Sequence, residues 1–127
     1  MHELSVVFHI LKIVKEEALK NHVKHVSKVK LEVGEVSTVV PYYLLDCWKW
    51  ACSKEEVLKD CQMEYEVVKA VTYCQDCGET YSTLEHKKVC PNCKSENTYL
   101  VVGNEVNIEE IEVDEMEEEQ YFFNFSL

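Results

Sequence analysis

There is no arginine in these 127 residues. Reading guanine in a major groove and gripping phosphate in two places at once both rely on the guanidinium fork. Counterion release needs a basic surface, and 13 lysines stand against 24 carboxylates. Nucleic acid is therefore not an expected partner. Glycine is scarce too. Gly34, Gly78 and Gly103 are the only three, and none belongs to a Gly-x4-Gly-Lys-Ser/Thr loop, so the chain cannot cradle a nucleotide's phosphates by that route. No apolar run approaches the roughly 20 residues that cross a bilayer. Acidic Glu3 precedes every lysine, unlike the basic opening of a secretory signal. No membrane role is expected. The acidity is local: nine of the 24 carboxylates, and no lysine, fall in residues 104–127.

What the chain does have is cysteine, seven in all. "CQDC" at Cys74 and Cys77 and "CPNC" at Cys90 and Cys93 are two CxxC pairs with twelve residues between them. Each pair makes a tight turn that aims two sulfurs at one point. Two such turns close a tetrahedron, the geometry of a structural zinc site with four cysteine ligands. Gly78 and Pro91 suit the turns. With four protein ligands no position is left for water, so catalysis at this metal is not expected, nor is the chain expected to be an enzyme. A redox dithiol pair and two plain disulfides are the other readings of the same spacing. The pattern fits a reducing compartment, hence a cytoplasmic protein. His86 lies between the pairs and reads as a loop histidine. Cys47, Cys52 and Cys61 read as small hydrophobes.

Apolar periodicity supplies the frame. Leu4, Val7, Phe8, Leu11, Val14 and Ala18 recur at helical spacing, ending near Asn21-His22. Val29, Leu31 and Val33 alternate with charged residues as a half-buried strand, stopped by Gly34. Pro41 opens a second helix with Leu44, Leu45, Trp48 and Cys52 inward; Trp48 and Trp50 cannot both face its core side. Met63, Tyr65 and Val67 mark another strand, and "EVNIEEIEVD" a last one whose alternation slips at Glu109-Glu110. The expected fold is α+β: two helices on a three-stranded sheet, with an inserted four-cysteine zinc-ribbon domain. The expected domains are 1–70 plus 104–114, a ribbon at 71–103, and an acidic, aromatic extension at 115–127.

The first three residues are Met-His-Glu. The Met1 amine and the His2 amide and imidazole nitrogens can chelate one ion through fused rings, and the Glu3 amide would complete a plane of four nitrogens. Square-planar nitrogen ligation favours Ni(II) or Cu(II). A histidine at position 2 is also commonly incidental, because chain ends tolerate change.

MHEL with its helix, "VKLEVGEVSTVVPYYL", the CxxC–x12–CPxC ribbon and the closing "GNEVNIEEIEV" together resemble the HypA/HybF family, to about Val113. These are nickel metallochaperones of NiFe-hydrogenase maturation. The resemblance implies that His2 binds nickel beside the Met1 amine and the Glu3 amide, with Glu3 tuning the site through its side chain. It implies structural zinc on Cys74, Cys77, Cys90 and Cys93. It also implies two partners, a maturation GTPase and the precursor of the hydrogenase large subunit; some relatives also serve urease. A zinc-ribbon adaptor without nickel cargo is the alternative reading. In "EMEEEQYFFNFSL", Glu115, Glu117, Glu118 and Glu119 are expected to be solvated. The aromatic cluster Tyr121, Phe122, Phe123, Phe125 and Leu127 is expected to dock on the body, on a second copy as a homodimer, or on a partner.

Overall fold

Residues 3–20 hold neither glycine nor proline, and they place an acid in the first turn and lysine in the last, as the helix dipole favours. They form α1 (Glu3–Lys20) in the computed structural model, which describes residues 3–116 and the backbone of 123–125. The Asn21 amide donates to the Glu17 carbonyl (2.8 Å), and His22 turns into the left-handed region (φ 57°), which ends the helix. Next come β1 (Val23–Gly34), α2 (Pro41–Cys52), a short 3-10 turn (Glu56–Leu58) and β2 (Gln62–Val68). The ribbon elements are β3 (Val71–Cys74), β4 (Thr80–Ser82), α3 (Thr83–His86) and β5 (Thr98–Val102), and β6 (Val106–Met116) and β7 (Phe123–Phe125) complete the chain. The fold is α+β as expected. One sheet runs β2-β1-β6-β7 and the other β4-β3-β5. The first sheet thus has a fourth strand beyond the three expected. It comes from the aromatic tail, whose residues 123–125 pair antiparallel with Ile111–Val113 of β6. The rest of 117–127 lies outside the described residues, including the glutamates after Glu115 and Tyr121, Phe122 and Leu127.

The chain divides into two compact units. The first comprises Met1–Leu31, Val39–Tyr65 and Asn107–Leu127. Its core is the inner face of α1 and α2 with Val26, Val29 and Leu31 of β1 and Ile111 and Val113 of β6. Here the expected α1 stripe is corrected. Val7, Ile10, Leu11, Val14 and Ala18 are buried, but Leu4 is 41% and Phe8 46% exposed, since the inward face is centred on Val7, Val14 and Ala18 and those two lie about 60° and 100° round the helix from Val7. Phe8 instead meets Trp50 edge-on, ring centroids 6.3 Å apart. Of the two tryptophans, Trp48 is buried and donates its indole N–H to the Cys61 carbonyl (3.2 Å), while Trp50 is half exposed under the Lys54 ammonium. Cys52 and Cys61 are buried, and Cys52's thiol, together with burial, pushes the Cys61 thiol far up, so it stays protonated and packs as a small hydrophobe. In β2, Met63 is buried as expected, but Tyr65 and Val67 are exposed. Alternation shows which face a residue takes, not whether anything covers it. Lys28 ties β1 to both neighbours, reaching Glu112 (3.0 Å) and Glu64 (3.5 Å).

The second unit comprises Glu32–Thr38 and Glu66–Val106. Its backbones approach closely at one place. A Cβ on Gly34 would lie 2.2 Å from the Gly103 oxygen, and one on Gly103 2.4 Å from the Ala70 Cα. Glycine at both positions is required by that contact.

Candidate metal centres

The two CxxC turns are built alike. Cys74 accepts the Gly78 N–H at its carbonyl and donates its own N–H to the Glu79 carbonyl, both at 2.9 Å. Cys90 makes the same pair of bonds, from Lys94 and to Ser95, again at 2.9 Å. The residue after each second cysteine adopts positive φ, 78° at Gly78 and 65° at Lys94. The turns therefore present four sulfurs to one point. Sγ of Cys74 lies 3.5 Å from that of Cys93, Sγ of Cys77 lies 3.6 Å from that of Cys90, and all four are within 4.8 Å of one another.

A sulfur tetrahedron with Zn–S bonds of about 2.3 Å has edges of about 3.8 Å, close to these separations. A disulfide needs about 2.05 Å, and all seven cysteines are free. The donor set is therefore right for zinc. Two of the sulfurs, those of Cys77 and Cys93, are shifted in opposite directions. The Asn92 amide and then a Glu79 backbone N–H hold Cys77 down to about 7. At Cys93 the Ser95 N–H pulls down, but the neighbouring Cys74 thiol, burial and the other two sulfurs push it up to about 12. Thiolates this close repel, so the bare cluster keeps protons that a dication would displace.

A hydrogen-bond network braces the two turns against each other. Asp76 accepts from the Ser95 hydroxyl and from the Asn97 amide (3.2 Å), and the Gln75 N–H donates to the Asn97 carbonyl (3.0 Å). Those bonds, Ser95 first, hold the Asp76 carboxyl below its usual range. The sequence reading missed these residues. The available signal was a side-chain oxygen at the third position of each CxxC, Asp76 in one and Asn92 in the other. His86 is exposed and outside the cluster, with its ring 5.9 Å from that of Tyr81.

Of the Met-His-Glu start, Met1 and His2 lie outside the described residues. Glu3 is half-buried, and its Oε2 accepts the Val40 N–H at 3.0 Å. Val40 occupies the N-cap position of α2, where its own side chain offers no cap. Glu3 thus places one carboxylate at the start of two helices, each of whose first turns favours negative charge. The second helix carries no acid there of its own. This contact fastens the root of the amino terminus to the body of the first unit.

Residues 1–113 match the family described as hydrogenase/urease nickel incorporation, metallochaperone, hypA. The chain belongs to that family. It is 33% identical over 114 residues to the hydrogenase maturation factor HypA of Actinobacillus succinogenes, covering 90% of this chain and all of that one. To the hydrogenase maturation factor HybF of Klebsiella pneumoniae it is 30% identical over 112 residues, 88% of this chain and 98% of the relative. Among solved structures it resembles the nickel metallochaperone HypA from Helicobacter pylori. That match has a TM-score of 0.70 at 26% identity, covering 89% of this chain and 97% of that one.

Proposed function

We propose that this chain carries Ni(II) for the maturation of NiFe hydrogenase, with zinc as a structural metal. The Met1 amine, the His2 amide and imidazole and the Glu3 amide take the nickel, and Cys74, Cys77, Cys90 and Cys93 hold the zinc. In this reading 1–70 plus 104–114 is the nickel-binding domain and 71–103 the zinc ribbon. The observation that carries it is the family match, which begins at residue 1 and so takes in Met-His-Glu. Nickel is cargo, so its site has to release as well as bind, and a nitrogen chelate at a chain end is open to ligand exchange. Catalysis is not part of this role. The receiving partner is the precursor of the hydrogenase large subunit, assisted by a maturation GTPase in the cytoplasm; this chain supplies no phosphate loop of its own.

Calorimetric titration of nickel into untagged, zinc-replete protein tests the reading, beside His2→Ala and a variant with one residue added before Met1. One equivalent bound by the native start alone supports it. Equal binding by all three moves the ligands elsewhere. No binding by any leaves a zinc-ribbon adaptor as the better account.

A further inference from the structure

His25 stands on β1 with both ring nitrogens engaged. Nδ1–H donates to Asp114 Oδ1 on β6 at 2.7 Å, and Nε2–H to the Lys59 carbonyl, between α2 and β2, at 2.5 Å. Both partners are acceptors. A neutral imidazole has a single N–H, so it would set a lone pair against one of those oxygens; the doubly protonated ring alone satisfies both. We propose that His25 is a proton-operated clasp, which as imidazolium ties the 53–61 connection to β6 and on losing its proton lets that connection go.

The surroundings favour the charged form. Glu115, like Asp114, faces it from β6; Glu56, Lys59 and Asp60 face it from the 3-10 turn and its exit, and Lys24 from β1 itself. Four carboxylates against two ammonium groups leave an excess of negative charge around the ring. All of them but Asp114 line, with His25, an open cleft of about 550 Å³ whose wall the clasp holds in place. Burial works against the charge, but the Lys59 carbonyl and Asp114 outweigh it, and the His25 pKa is raised above 6.5.

The segment it holds has anchors of its own on either side. Leu58 is fully buried, and the Cys61 carbonyl is held by Trp48. Asp60, between them, sits at φ 57°, a conformation that carries strain outside glycine. Release therefore frees Lys59 and Asp60 to relax while leaving the core packed.

The test is NMR on the full-length zinc-loaded protein, following the His25 ring protons and the amide exchange of Lys59 and Cys61 against pH. Those two amides are bonded to the Glu56 and Leu58 carbonyls. Exchange is expressed relative to the intrinsic rate at each pH. The expected midpoint lies above 6.5, with protection at both amides falling at least tenfold across the same range. Asp114→Asn keeps an acceptor of the same shape and removes the charge. It is expected to lower the midpoint by about 1 pH unit or more, and the loss of protection moves with it. His25→Gln removes the pH dependence of protection. A midpoint at or below 6.5, protection that ignores the titration, or a pH dependence that survives in His25→Gln overturns the proposal.

Discussion

Gly78 and Lys94 make the same backbone bend in the two metal turns with very different residues. At Gly78 a Cβ would meet nothing closer than the Tyr73 hydroxyl at 3.8 Å, so Gly78→Ala carries only the cost of an L-residue at φ 78°. That is about 1 kcal/mol. Lys94 already bears this cost at φ 65°, and Lys94→Gly is expected to return about 1 kcal/mol. Thermal melting of zinc-loaded protein measures both, the first variant melting earlier than the parent and the second later. The four sulfurs were legible from spacing alone, because CxxC imposes its turn locally. Lys94 was not, because lysine carries no sign of the left-handed region. The Glu3–Val40 contact was equally hidden: 37 residues separate its ends, and only packing brings them together. Phe8 misled in another way. Its spacing belongs to the buried stripe as well as to the flank, and a period of 3.6 does not decide between neighbours 100° apart.

Among the elements, the crossing of β1's end over the exit from β5 has the least tolerance. Gly34→Ala would drive a methyl to 2.2 Å from a backbone oxygen, and backbone has no rotamer to yield. The expected result is loss of more than about 4 kcal/mol, the range reached by steric conflict in a packed interior. Failure to purify as folded, zinc-containing protein, or a strongly reduced urea midpoint, is the readout. The clasp at His25 gives a milder effect with a defined direction. Its folded-state pKa is raised above the unfolded 6.5, so the stability it supplies is complete below about 6.5 and is lost as pH rises through the folded value. Urea midpoints measured across that range decline for the parent and flatten for His25→Gln. Strands were partly legible. Val29, Leu31 and Val33 alternate as read, whereas β1 begins at Val23, where buried Val23, Val26 and Val29 follow a spacing of three that matches neither template. The half-buried Val106 and Ile108 give way to buried Ile111 and Val113, the change of phase the sequence of β6 displays.

For the molecule as a whole, the zinc proposed for the four-cysteine cluster competes there with protons. Below neutral pH Cys77, near 7, and Cys93, near 12, both hold protons that zinc must displace. Zinc affinity is therefore expected to fall with pH and to release more than one proton per ion near pH 7. Calorimetry in buffers of different ionisation enthalpy counts those protons directly. With zinc on the four cysteines as proposed, stripping the metal is expected to remove what holds the ribbon, a segment with few buried residues besides Cys74, Cys90 and Thr72. Amide spectra of chelator-treated protein are expected to lose the β3–β5 ladder while α1 and α2 persist on their own core. No helix among the described residues is long and apolar enough to cross a membrane.

Val71, the first residue of β3, and Val102, the last of β5, are partners in one ladder. The ribbon therefore leaves and rejoins the chain at a single point, where the backbones of Ala70, just before it, and Gly103, its last residue, touch. A segment joined in this way can be lengthened, shortened or exchanged for another without moving the two chain ends that receive it. Heredity can edit it as a cassette. The part that carries the four clustered cysteines is thus free to diverge at a pace of its own.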